Sequence, residues 1–123
     1  MTKEQIRAVR ILKDKLKETY VPAPDDLLWK TLAVFQKHPF YTAKNLEFFY
    51  IIKGNEMFVT RKDKSITRAT VMVAFHRALE LDRVVTGPKK LGTFGASYLY
   101  PVFQKIGVIK EIPDDKKKPS KPS

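Results

Sequence analysis

Cysteine is absent from this 123-residue chain. That excludes disulfides, thiolate zinc sites and thiol nucleophiles at once, and it fits a reducing, cytoplasmic setting. Only two histidines occur, no Ser/His/Asp set stands out, and no two acids share a helical face at metal-ligand spacing. The ordinary stock of general bases and metal ligands is therefore thin. No run approaches the roughly 18–20 apolar residues that a membrane span needs. The opening stretch MTKEQIRAVRILKDKL breaks up its apolar residues with charges, unlike a signal peptide. Internal repeats are lacking too. These absences set the expectation of a non-enzymatic, cytoplasmic protein without cofactor, metal or membrane contact.

Positive charge is what the chain has in excess. It carries 24 Lys and Arg against 13 Asp and Glu, a formal charge of +11. Residues 110–123 hold five lysines and three acids, so the body before them keeps +9. That body has eight Phe, five Tyr and one Trp in a chain that is 43% hydrophobic, enough to fill a core. One folded domain over residues 1–109 is expected, followed by a disordered Lys/Pro-rich tail over 110–123. Charge of this sign and size suits nucleic acid, an anionic membrane surface or an acidic protein partner.

Hydrophobic spacing outlines the elements. Ile6, Val9, Leu12 and Leu16 recur every three or four residues and predict a helix over 3–19. The VPAP stretch (Val21 to Pro24) breaks it. A second helix opens with Pro24 at its first position, and Asp25 and Asp26 sit where the helix dipole favours anions, a role that needs no metal. It should bury Leu28, Leu32 and Phe35 and stop near Lys37-His38, because Pro39 follows. Residues 46–61 read as a β-hairpin turning at Gly54-Asn55, with Phe48, Tyr50 and Ile52 on one face and Phe49 and Ile51 on the other. A helix from about Thr67, capped by Ser65 or Thr67, should bury Val71, Ala74, Phe75, Ala78 and Leu81. Val84-Val85 is a brief extended run. A last helix near residues 97–106 packs Leu99, Val102, Phe103 and Ile106, with Pro101 opening or kinking it. Gly107 stops it and Val108 supplies the following contact. The sum is an α+β, helix-rich single domain of about four or five helices with a β-hairpin.

Binding residues are sought where the core stripe leaves a face open. Arg68, Ala69, Met72 and His76 turn away from the stripe of the third helix, and Lys89 and Lys90 occupy the glycine-rich loop TGPKKLGTFG. Ser65-Ile66-Thr67-Arg68-Ala69-Thr70-Val71, followed by Ala74, Ala78, Leu81 and Val84-Val85-Thr86-Gly87, resembles a stretch of winged helix-turn-helix regulators. The resemblance covers about 25 residues. It implies a winged-helix-like fold in which a recognition helix runs into a strand and a basic wing. It also implies that Thr67, Arg68 and Thr70 meet phosphates or base edges, that Ala69, Met72 and His76 face the major groove, and that Lys89 and Lys90 meet the backbone. The family places a helix before the recognition helix, whereas residues 55–64 read here as part of a hairpin; strand and helix both stay open there.

The leading expectation is a small basic DNA-binding protein that performs no chemistry, a transcriptional regulator or DNA-associated accessory factor, with duplex DNA as partner and a homodimer as an ordinary form for a duplex reader. Two other readings stand beside it. One is an adaptor or structural module that offers its aromatic hairpin or basic face to an acidic protein partner. The other is a single-stranded nucleic-acid binder that stacks bases on the hairpin aromatics, Tyr50 among them.

Overall fold

The computed structural model describes residues 1–18, 20–61 and 64–111. Helix α1 (Lys3–Glu18) is closed at its start by a reciprocal cap. Gln5 N–H donates to Thr2 Oγ1 at 3.1 Å, and Thr2 N–H donates to Gln5 Oε1 at 3.0 Å. This pairing satisfies amides that the first turn would leave orphaned. Its inward stripe is Gln5, Val9, Leu12 and Leu16; Ile6, expected inside, is exposed. Gln5 is drawn inward because its amide also donates to Val34 O, at the end of α2 (Asp25–Val34). Pro24 precedes the first residue of α2 rather than occupying it, and Leu28, Trp29, Thr31 and Leu32 are the buried positions of that helix.

Two small antiparallel sheets follow. Phe40–Tyr41 (β1) pairs with Glu47–Phe48 (β2), a hairpin that the aromatic run did not announce. Tyr50–Lys53 (β3), Glu56–Val59 (β4) and Ile66–Thr67 (β5) form the second sheet, in the order β3-β4-β5. Gly54 holds φ +59° at the first central position of the β3–β4 turn, the conformation for which glycine is suited. Residues 56–59 are thus strand, not helix. Alternation is respected: Tyr50, Met57, Val59 and Ile66 are buried, while Phe49 and Phe58 face outward. The outer edge of β3 is closed by Gln36, whose Oε1 accepts from Ile52 N–H at 2.7 Å, and by Lys37 N–H donating to Tyr50 O.

β5 runs directly into α3 (Arg68–Glu80), with Thr67 as the cap: its Oγ1 accepts from Thr70 N–H at 3.2 Å. The helix ends at Leu81, after which Asp82 and Arg83 both adopt positive φ. Val84-Val85 forms no strand. Pro88–Leu91 is a 3-10 turn, and α4 (Ala96–Ile106) carries Pro101 inside it, so that proline does not open the helix. Gly107 caps α4 at φ +91° and Val108 behind it is fully buried. One core cluster joins all these elements, which makes the chain a single α+β domain. Lys110 N–H donates to Arg83 O; the expected tail beyond residue 111 lies outside the described residues.

Candidate nucleic-acid interface

The eight residues singled out by sequence do not form one surface. Met72 is only 8% exposed and belongs to the core, which corrects its expected place in a groove. That flank of α3 is also met by side chains of α2. Arg68 Nη2 reaches Asp26 Oδ1 at 2.6 Å, and its guanidinium lies 5.4 Å from the Trp29 ring centroid. His76 Nε2 meets Asp25 Oδ1 at 2.8 Å. The acids of the first turn of α2 therefore hold two cationic or potentially cationic groups of α3 as well as complementing their own helix dipole. Thr67 is occupied as the cap and Thr70 as its partner, while Ala69 is exposed.

Lys89 and Lys90 lie on the other flank. Arg77 Nε donates to Lys90 O at 3.4 Å, and Arg77 stands nine residues after Arg68, about half a revolution away at 3.6 residues per turn. Both lysines are exposed and form no ion pair among the described residues. Between the flanks runs an open strip with Ala69 and Val73, the latter 58% exposed, bordered by Arg77, which pairs with Glu80 at 3.2 Å. Sequence reasoning placed Arg77 close to this face but missed Val73, although the 100° step from Ala69 was the available signal. The wing implied by the resemblance is a 3-10 turn here, with no strand before it.

A second basic feature was not legible at all. A cleft of about 1140 Å³ opens between α1, β1, α4 and the segment after α4; among the described residues it is lined by Lys13, Arg83, Lys105 and Lys110, with Glu111 as the one carboxylate. Tyr41 and Tyr100 contribute aromatic wall, and Tyr100 Oη donates to Val85 O at 3.2 Å. Burial raises the Tyr100 pKa and, far more, that of Tyr50, whose hydroxyl donates to Leu32 O. Tyr50 is fully buried, so it cannot stack a base. His38, just before the cleft residue Pro39, has its pKa lowered by burial first and then by the positive charge of Lys105.

Among the described residues no group of three His, Asp or Glu could hold a metal ion, and no helix is long and apolar enough to cross a membrane. Comparison with family models, with curated proteins and with solved structures finds no match to this chain.

Proposed function

We propose that this protein binds nucleic acid without transforming it, and that it holds duplex DNA chiefly through phosphates. The observation that carries this reading is the pair Lys89 and Lys90, exposed and without ion pairs among the described residues, beside the open strip of α3 on a chain of charge +11. Lysines of this kind supply affinity without reading bases. Base readout has little to draw on: Arg68 and His76 are held by Asp26 and Asp25, and Met72 is in the core. A DNA-associated accessory factor suits that pattern better than a regulator reading a defined site.

Binding to random duplex should weaken steeply with salt, with a logarithmic slope of about −0.9 per phosphate engaged. Joint Lys89→Glu and Lys90→Glu replacement should reduce that slope by about two units. Random duplex that gives no detectable binding at low salt would end the reading.

The outer face of the second sheet supports one other reading, a single strand stacked on aromatics. Phe49 and Phe58 are exposed there, and Lys53 Nζ lies 5.8 Å from the Phe58 ring centroid. A preference for single strand over duplex in the same titration, lost on Phe58→Ala, would favour it.

A further inference from the structure

In the cleft between α1, β1 and α4 the described residues set four cations, Lys13, Arg83, Lys105 and Lys110, against the carboxylate of Glu111. We propose that the cleft binds the phosphates of a nucleotide, free or at the end of a single strand, with Tyr41 at its lip stacking on the base. The proposal stands whether or not α3 meets duplex DNA, because the two use different residues.

Arg83 is the first reason. Its side chain is 7% exposed, yet its hydrogen-bond partners are carbonyls: Nε donates to Val108 O at 3.1 Å and Nη2 to Gly107 O at 2.9 Å. Those bonds satisfy N–H groups and leave the charge without a carboxylate partner among the described residues. Buried cations are ordinarily paired with an anion, because desolvation is costly otherwise. Arg83 also holds φ +66°, a conformation uncommon for a residue with a side chain, and its carbonyl accepts from Lys110 N–H. The fold accepts that backbone and ties the residue down on three sides, at the wall of an open cleft.

The other cations are placed to act with it. The stem of Lys13 lies over Gly107 so closely that a Cβ there would stand 2.6 Å from Lys13 Cγ, which fixes the course of that side chain. Lys105 and Lys110 are exposed on the same lining. Among the described residues four cations stand against Glu111 on one concave wall, an arrangement that attracts anions. Size and composition then narrow the class. The cleft, at about 1140 Å³, exceeds what a single inorganic phosphate needs and lies somewhat above the roughly 300–1,000 Å³ usual for drug-sized ligands, so a nucleotide has room in it. Tyr41 is half exposed at its edge, an aromatic face open to a base.

Calorimetry on the full chain at low salt tests this with ATP, tripolyphosphate and adenosine. ATP and tripolyphosphate should bind saturably, and adenosine at least about tenfold more weakly, the minimum expected from losing a charge-assisted phosphate contact. Lys105→Glu with Lys110→Glu should weaken ATP by about tenfold or more, since phosphate contacts dominate the affinity. Both side chains are exposed, so the fold is kept; a thermal melt verifies that. Lys89→Glu with Lys90→Glu should leave ATP binding unchanged, and Tyr41→Ala should weaken ATP but not tripolyphosphate. Displacement of ATP by a 5′-phosphorylated oligonucleotide, and not by its unphosphorylated twin, would assign the site to strand ends; displacement by neither would assign it to the free nucleotide. Equal affinity for adenosine and ATP would overturn the proposal. So would wild-type ATP binding by the Lys105/Lys110 variant, or an equal loss in the Lys89/Lys90 variant, which would mean a general field and no site.

Discussion

Arg68 and Arg83 begin as similar surface cations in the sequence and end in opposite situations. Arg68 finds Asp26 and Trp29 on α2, partners 42 and 39 positions away, and no local pattern could have announced them. Arg68→Ala should cost about 1 kcal/mol in urea unfolding, since a half-exposed ion pair contributes little and the cation–π contact about as much again. The same change should lower duplex affinity less than Lys89→Glu does, the reverse of what a recognition helix would give. His38 provides a pH test. Its folded pKa lies below 6.5, so above that value both states are neutral and nothing differs. As pH falls below 6.5 the unfolded chain takes the proton first, and stability is lost toward acid. Urea midpoints at pH 7.5 and 5 should therefore differ by less in His38→Gln than in the wild type.

Elements were legible where local chemistry suffices. The 3.6-residue stripes marked all four helices, and Gly54-Asn55 marked the β3–β4 turn. The β1–β2 hairpin escaped because its strands are two residues each, too short for alternation to register. Val9, Leu12 and Leu16 lie inward in α1 as expected, and only the first position of its stripe was misread, Ile6 for Gln5, since a glutamine inside a helix face reads as polar until its cap and its bond to Val34 O are seen. Removing the cap of α3 with Thr67→Ala should cost about 1 kcal/mol, measured by chemical unfolding. Gly107→Ala should cost more, because the position combines φ +91° with the Lys13 stem in the space a Cβ would take. Its thermal midpoint should fall clearly below that of Gly87→Ala, where a Cβ meets open space.

At the scale of the molecule the governing quantity is charge. The formal +11 resides mostly in the folded body, and self-repulsion of that kind is relieved by a bound polyanion. Thermal stability should therefore rise when a short duplex is added at low salt, and the increment should vanish at high salt. Where the charge is usable is a different matter from how much there is. Composition excluded disulfides, periodicity outlined the helices, and glycine and proline punctuated them, because each of these depends on neighbours within a few residues. Which cations stay open was decided only when the acids of α2 paired with one flank of α3, and when Lys13, Arg83, Lys105 and Lys110 came together around one cleft. Those meetings join positions up to 97 residues apart, and burial, pairing and cleft shape are properties of packed elements that no local pattern carries.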